Sequence, residues 1–302
     1  MPIKYIKRKD IDDSKYNECI QGSNQSLLYG YTWYLDIVCD QWDVLVLNDY
    51  EVVMPIPWRK KYFIKYVYQP LWVLQLGIFS NNENYFPQDF LDELQKYFQF
   101  AELRLNSRNV FHHDNSHIVR KKFQELSLNQ EYGNIERVYQ SDRKKDLKKA
   151  KRYELKIEWG RDQNEFIQLF RQNVGKRTPE IKDADYNNLK SLMSLCSEKN
   201  LGEVCTVYQQ GQLVAGAFIL TYQKNITILC SSTDFSNRNN GANTFLIDQA
   251  IQRYIKDYQT LNFGGSSIAS IASYFLSFAA KTRQYPMIRL NQLPFLIRLL
   301  KS

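Results

Sequence analysis

The chain has 302 residues, of which 44% are hydrophobic and 24% charged, and its formal net charge is +8. Only 12 glycines and 8 prolines are present, which excludes collagen-like and linker-dominated chains and predicts a globular protein long enough for two domains. The five scattered cysteines form no C-x-x-C pair, which excludes the usual zinc and thioredoxin motifs and indicates reduced core cysteines.

The first residues, MPIKYIKRKD, are charged from the start, so no secretory signal is predicted. The best apolar run, residues 215–220, has the length of a strand and is far too short to span a bilayer. We therefore expect a cytoplasmic protein. The positive charge favours an anionic partner such as a nucleic acid, a phosphorylated small molecule or a membrane surface.

The first half reads as a hairpin, a helix and a strand. Residues 43–57, DVLVLNDYEVVMPIP, place two apolar runs around a polar turn at 48–50, which is the pattern of a β-hairpin. Apolar residues at 91, 94 and 98 then mark one stripe of an amphipathic helix. Residues 101–106, AELRLN, alternate like a strand.

The second half repeats this order. EVCTVYQ at 203–209 and QLVAGAFILTY at 212–222 flank a Gln-Gly turn, and ITILCSST at 226–233 predicts a third strand. From Ala242 to Tyr258 the apolar residues recur at helical spacing, and LNF at 261–263 predicts a short strand ending before Gly264. Two similar α+β halves are expected, with a boundary near residues 135–145.

The segment SDRKKDLKKAKR at 141–152 carries seven cations in ten residues. As a helix it would bury Leu147 and Ala150 and expose most of its charges, with Ser141 or Asp142 as the N-cap. Such a face can bind phosphates, although a simply solvated helix face is an equally good interpretation.

The loop DFSNRNNGAN at 234–243 leads from a strand into the long helix, where free backbone N–H groups and the helix dipole favour an anion. Arg238 and Gly241 follow the acetyltransferase pyrophosphate pattern, but its last position, normally Gly or Ala, is Asn243. A plain turn at the start of a helix is the alternative.

Two further segments contain polar residues that could be functional. The aromatic-rich segments 29–42 and 58–80 mostly suit core packing, but Gln69, Gln75 and Gly77 within an apolar context suggest a polar groove or a satisfied buried network. HHDNSH at 112–117 lacks the spacing of a metal site, so no metal is expected.

Several segments, in this order, resemble the Fem-type peptidoglycan aminoacyltransferases and related acyltransferases of tandem GNAT fold: YTWYLD, VMPIPWRKK, YQPLWVLQLGIF, RKKDLKKA, NNGAN, LNFGGS and SFAAK. The resemblance spans most of the chain. It implies an α+β protein of two GNAT-like domains, each a mixed, mostly antiparallel sheet flanked by helices. The implied domains are residues 1–140, completed by the C-terminal segment 288–302, and residues 141–287.

Members of this group transfer an acyl or aminoacyl group from a coenzyme A thioester or an aminoacyl-tRNA to an amine. The resemblance thus implies a bacterial acyltransferase without a tightly bound cofactor, using acyl-CoA or aminoacyl-tRNA as donor. The acceptor would be a cell-wall precursor or a small molecule. RKKDLKKA matches the family's basic phosphate-binding motif, with Lys144 leading it beside Arg143. LNFGGS matches a motif that usually has acidic residues in place of Asn262 and Gly264.

For the mechanism we expect the donor carbonyl to lie between separated strands near 218–222 and 230–233, where backbone N–H groups stabilise the oxyanion. Tyr222, Ser232 and Asp234 are the candidates to relay the acceptor's proton. The candidate phosphate-binding residues are Arg143, Lys144, Lys148, Arg238, Asn240 and Gly241. The candidate groove residues are Trp33, Trp58, Arg59, Gln69, Gln75, Asn262, Gly264 and Ser266.

The alternative function is a non-catalytic GNAT-fold protein that binds nucleic acid or phosphorylated or lipid-linked ligands. The terminal residues LPFLIRLLKS, 293–302, either return to pack on the first half or lie on the inner membrane surface as a basic amphipathic element.

Overall fold

The computed structural model describes residues 2–61, 63–82, 84–111, 116–160, 162–264 and 268–294. The first part of the chain contains these elements: β1 (Lys4–Lys7), α1 (Asp13–Gly22), α2 (Thr32–Val38), β2 (Trp42–Leu47), β3 (Val52–Lys61), β4 (Ile64–Val67), β5 (Phe79–Ser80), α3 (Pro87–Tyr97) and β6 (Phe100–Arg104). The remaining elements are β7 (Ile118–Ser127), α4 (Tyr132–Arg137), α5 (Ser141–Arg152), β8 (Lys156–Trp159), α6 (Gln163–Gln172), α7 (Asp183–Glu198), β9 (Gly202–Gln209), β10 (Gln212–Tyr222), β11 (Asn225–Thr233), α8 (Ala242–Tyr254), β12 (Thr260–Asn262), α9 (Ala269–Leu276) and β13 (Lys281–Asn291).

The chain divides into two compact units. Unit 1 comprises the described residues up to 121 together with those from 284 onward, and unit 2 comprises residues 122–283. The sequence instead places its boundary between residues 140 and 141. The units divide earlier because β7 pairs with β12, Leu126 opposite Leu261, so residues 122–140 are held by the second sheet.

In unit 1 the strands are ordered β1-β2-β3-β4-β6-β13, with β5 pairing β3. The predicted hairpin is present as β2 and β3, with Leu47 opposite Val52. Asn48 and Tyr50 in its turn adopt positive φ angles of 56° and 63°. The last strand, β13, pairs with β6 from Met287 to Asn291, so a segment near the end of the chain completes this sheet.

In unit 2 the strands are ordered β7-β12-β11-β10-β9-β8. The pairings are antiparallel except for the parallel pair of β11 and β12. Helix α8 buries Leu246, Ile247, Ala250 and Ile251 in the core of this unit, each at most 2% exposed. The order of three strands, a helix and a strand read from the sequence is confirmed, and so is the α+β class.

Helix α5 occupies the predicted residues, but its N-terminus differs from the prediction. Gln140 is the N-cap, without a side-chain cap hydrogen bond, and Ser141 and Asp142 already lie inside the first turn. The backbone N–H groups of Arg143 and Lys144 both donate to the carbonyl of Gln140, which fixes the helix start one residue earlier. Ala150 is buried as expected.

Candidate functional site

Strands β11 and β12 pair over only three residues and then separate. Their parallel register ends at Thr227 opposite Asn262, whereas β11 continues to Thr233. The separation predicted between 218–222 and 230–233 is wrong, because β10 and β11 stay paired there, Phe218 opposite Cys230. A tight turn at residues 223–224 joins these two strands and holds them in register, so the sheet opens on the other side of β11.

A cavity of about 500 Å³ lies within unit 2. Its walls come from the end of β11, the loop before α8, the first turns of α5 and α8, and one face of α9. Three segments singled out in the sequence therefore converge: the basic segment, the loop 234–243 and the residues after LNFGGS. The site is a polar and aromatic hollow beside the N-terminus of a buried helix.

The N-terminus of α8 is shaped by Asn240 and Gly241. The side-chain oxygen of Asn240 accepts a hydrogen bond from the Ala242 N–H at 2.9 Å, and its amide donates to Gln209 Oε1 at 2.8 Å. Gly241 has a φ of +81°, and a Cβ atom there would lie 2.3 Å from the Asp146 carbonyl oxygen. Both predicted residues thus position the loop, and the polar atoms of the Asn240 side chain already have partners.

Arg143 is a link between three helices. Its Nη1 donates to Thr244 Oγ1 at 2.7 Å and lies 3.1 Å from Asp146 Oδ2, and its guanidinium stacks on Tyr274 at 4.4 Å. Only 12% of the side chain is exposed, and its Nε is buried without a hydrogen-bond partner. Its charge is therefore offset by Asp146 at the cavity wall.

The other two predicted cations of α5 lie outside the cavity lining. Lys144 is exposed and donates to the Arg137 carbonyl at 2.7 Å, and Lys148 is also exposed. Helical geometry separates them from Arg143, since residues one and five positions further along point in other directions. Four of the six predicted phosphate-binding residues line the cavity: Arg143, Arg238, Asn240 and Gly241.

Along β11, neighbouring residues alternate between the cavity and the core. Ser231 and Thr233 line the cavity, whereas Ser232 is 3% exposed and its hydroxyl lies 3.5 Å from the Leu169 carbonyl. The proton relay predicted for Ser232 is not compatible with this orientation. Because successive side chains of a strand point to opposite faces, a shift of one residue decides whether a side chain faces the cavity or the core.

The structure does not bring the other two candidate catalytic residues to the cavity. Tyr222 pairs with Asn225 at the turn end of the β10–β11 hairpin, opposite to the end that forms the cavity. Asp234 accepts hydrogen bonds from the N–H and hydroxyl of Ser236 at 2.9 and 2.7 Å, which closes a turn at the end of β11. Tyr222, Ser232 and Asp234 thus do not form a constellation.

Tyr274 on α9 is a site residue that the sequence reasoning missed. It lines the cavity, and its hydroxyl lies 3.2 Å from Thr244 Oγ1. Burial raises its pKa to about 12, partly opposed by the hydrogen bond with Thr244 and the charge of Arg143. The spacing of Ile271, Tyr274 and Phe275 after LNFGGS is the helical signal that could have identified this wall.

The predicted groove residues of unit 1 are held by local partners. Trp58 donates its indole N–H to Asp43 at 2.7 Å, and Arg59 forms a bidentate pair with Asp40 at 2.6 and 2.9 Å. Gln69 donates to the Val73 carbonyl at 2.7 Å and accepts from the Arg104 N–H at 2.8 Å. For Gln69, the satisfied buried network is the better of the two interpretations.

Of the remaining groove candidates, Trp33 and Gln75 belong to unit 1 and Asn262 and Gly264 to unit 2. Trp33 packs on Tyr34 with ring centroids 5.5 Å apart, and Gln75 is 8% exposed. In unit 2, the Asn262 side chain accepts from the Gly264 N–H at 2.9 Å, and Gly264 has a φ of +83°. Ser266 lies outside the described residues.

Three other expectations concern metals, the terminus and membranes. Part of HHDNSH, residues 112–115, lies outside the described residues, and the described residues contain no group of three potential metal ligands. Most of the terminal segment 293–302 also lies outside them. In the described part of the chain, no helix has the length and apolar character that crossing a bilayer requires.

Comparison with known proteins confirms the family resemblance at the level of domain and fold. Residues 137–272 match the family model described as an acetyltransferase (GNAT) domain. The structure is similar to FemX, with a TM-score of 0.66 and 9% identity, covering 99% of this chain and 100% of that chain. A search of curated proteins finds no significant match.

Two further solved structures share this fold. One is the C-terminal domain of a protein provisionally named lysylphosphatidylglycerol synthetase from Agrobacterium fabrum, with a TM-score of 0.60, 11% identity and coverage of 96% of this chain and 94% of that chain. The other is L-PGS from Bacillus licheniformis, with a TM-score of 0.56, 12% identity and coverage of 96% and 95%. At such low identity the likeness concerns the fold alone.

Proposed function

We propose that unit 2, whose residues 137–272 match a GNAT domain, transfers an acyl group from an activated, phosphate-bearing donor to an amine. The observation that carries this proposal is the coincidence of the match with the cavity at which β11 leaves β12 beside the start of α8. An acyl acceptor and an acyl donor can meet there because, within the described residues, β11 has no strand partner beyond Thr227 on its β12 side, so its backbone groups are open to a ligand.

The first turn of α8 suits the phosphoryl groups of the donor. Ala242, Asn243 and Thr244 all line the cavity, and the positive end of the helix dipole is directed there. The close contact between Gly241 and the Asp146 carbonyl keeps this turn in place. Arg238 adds a cation at the edge of the same cavity.

The chemistry we propose is a direct transfer. The amine nitrogen attacks the donor carbonyl carbon, the bond to the leaving group breaks, and the ammonium proton passes to water. Backbone N–H groups at the open edge of β11 would stabilise the oxyanion. Tyr274 would protonate the leaving group from its hydroxyl at the cavity wall and then regain a proton from water, which balances the proton that the ammonium releases.

We propose an acyl thioester as the donor, because the matched family model is that of acetyltransferases. Aminoacyl-tRNA is the competing donor, supported by the exposed lysines at positions 144, 145, 148 and 151 on α5. For the acceptor we propose an amine of a small molecule or a cell-wall precursor. The place of action is then the cytoplasm or the inner face of the membrane.

The test is transfer itself, measured by mass spectrometry with acyl-CoA or aminoacyl-tRNA and a panel of amines. On the donor that is used, Tyr274→Phe should lower kcat by about 100-fold, the scale of a lost general acid. Tyr222→Phe is the matched control, at the far end of the β10–β11 hairpin, and should leave kcat unchanged. Absence of transfer from every donor, or equal losses in both variants, would contradict the proposal.

A non-catalytic binding protein is the second candidate, favoured by the same exposed lysines of α5. It predicts affinity for RNA that falls steeply with salt, with no modified product. Charge-neutralising glutamine substitutions at Lys145 and Lys148 would then reduce both the affinity and its salt dependence. If they did so in a protein that also transfers acyl groups, the lysines would belong to donor binding.

A further inference from the structure

Two arginine side chains stack on the ring of Phe235, which lies in the loop before α8. The guanidinium of Arg238 lies 3.6 Å from the ring centroid and that of Arg177 lies 4.2 Å from it. The two guanidinium carbons are therefore at most about 8 Å apart, the sum of those distances. Arg177 comes from the connection between α6 and α7, a segment that no sequence motif singled out.

Neither guanidinium forms an ion pair with a carboxylate among the described residues. Like charges held this close repel each other, and aromatic stacking offsets only part of that repulsion. Arg171 shows the ordinary arrangement nearby: it stacks on Tyr186 at 4.1 Å and pairs with Asp183 at 2.5 Å. Arg177 and Arg238 have the stacking without the carboxylate.

The backbone on both sides of the shared ring is fixed. The Phe235 N–H donates to Asn173 Oδ1 at 2.7 Å, which ties the loop to the end of α6, and Asn173 is only 7% exposed. On the other side Gly175 packs so closely on Tyr186 that a Cβ atom would lie 2.3 Å from its hydroxyl oxygen. The backbone that carries the two exposed arginines is thus held in place, which lowers the entropy cost of binding a ligand between them.

We propose that Arg177 and Arg238 form an anion clamp for a phosphate monoester at the rim of the unit 2 cavity. A phosphate monoester carries close to two negative charges at neutral pH and three acceptor oxygens, which matches two guanidinium groups. The clamp is separate from the backbone N–H groups at the start of α8, so a ligand spanning both would carry two phosphoryl groups. Only the identification of that ligand as the acyl donor rests on the proposed function.

The test measures binding by calorimetry with two probes, inorganic phosphate and adenosine 3′,5′-bisphosphate. Arg177→Ala and Arg238→Ala should each weaken binding of the bisphosphate by about tenfold, as expected for one lost charge-assisted contact. The fold-loss of affinity in the double variant should be smaller than the product of the two single fold-losses, because both guanidinium groups bind the same anion. If the same two substitutions also weakened binding of inorganic phosphate, the phosphate group alone would be sufficient for binding to the clamp.

Arg171→Ala is the control, since it removes a neighbouring stacked arginine whose charge is already paired. Thermal unfolding without ligand should be the same for Arg177→Ala and the parent protein, which separates binding from folding. Retained affinity in Arg177→Ala, an equal loss in Arg171→Ala, or no binding of either probe would overturn the clamp. Acyl transfer unaffected by Arg177→Ala would show that the acyl donor is not the ligand of the clamp, and it would leave the proposed function standing. Phosphate binding without any transfer would leave the clamp standing and contradict the proposed function.

Discussion

Replacing Gly241 by alanine tests whether the start of α8 is held against the backbone of α5. The new Cβ would lie 2.3 Å from the Asp146 carbonyl oxygen, 3.0 Å from its carbon and 3.3 Å from its Cα. All three atoms belong to helix backbone, so no side chain can rotate away. Gly241 also has a φ of +81°, which alanine adopts only with strain.

Two contributions set the size of the effect. The left-handed conformation costs an alanine about 1 kcal/mol, and overpacking against a fixed backbone costs about 1–3 kcal/mol more. Gly211 separates the two, because it has a φ of +82° and a Cβ atom added there would meet no other atom within 4 Å. We expect Gly241→Ala to lower the unfolding free energy by about 2–4 kcal/mol and Gly211→Ala by about 1 kcal/mol.

The measurement is thermal and urea unfolding of both variants. For a unit of this size the expected shift of Tm in Gly241→Ala is on the order of 10 °C. Equal losses in the two variants would refute the close contact between the helices, since the conformational term is common to both. The anion affinity of Gly241→Ala should fall as well, because the first turn of α8 must move.

Further predictions concern side chains around the site and beneath it. Burial raises the pKa of Asp248, so the free energy of unfolding falls as pH rises from about 4 through that raised pKa. The fall amounts to about 1.4 kcal/mol for each unit by which the pKa is raised. Asp248→Asn should remove this pH dependence, measured by urea unfolding between pH 4 and 7. Parallel pH profiles would contradict it. Ser232→Ala should change stability by less than about 1 kcal/mol and leave the transfer rate unchanged, whereas Thr233→Val should raise the donor KM. If steady-state kinetics showed a larger effect for Ser232→Ala than for Thr233→Val, Ser232 rather than Thr233 would face the cavity. Arg143→Met should cost about 2–3 kcal/mol by leaving Asp146 without its main partner, with Arg143→Lys recovering part of it in the same denaturation assay.

The elements of both halves were predictable because their signals are local. The hairpin of β2 and β3, the helix α5 and the order of β9, β10, β11, α8 and β12 follow from periodicity and turn residues. Gly241 was also recognisable, since a glycine before a helical pattern is a turn signal. These features depend on residues a few positions apart in the chain.

The side-chain roles were less predictable because they depend on contacts between distant segments. Arg143 looks like a surface cation in the sequence, yet it meets Thr244, 101 residues later, and the ring of Tyr274. The prediction for Ser232 fails because the pairing of β11 with β10 sets which of its residues face the cavity, and the sequence of β11 alone does not contain that information. Arg177 lies in a loop without a sequence motif, and only its stacking on Phe235, 58 positions later in the chain, indicates a role.

The completion of unit 1 by β13 has a consequence for synthesis of the chain. Unit 2 is a continuous stretch, residues 122–283, whereas β6, which pairs with β4 on one edge, gains the partner for its other edge only when residues 287–291 have been made. During translation unit 2 can therefore finish folding while β6 still has an open edge, and such edges favour pairing with other chains. Stalled chains ending at residue 283 should thus be more prone to aggregation and proteolysis within residues 2–111 than chains that include residue 294.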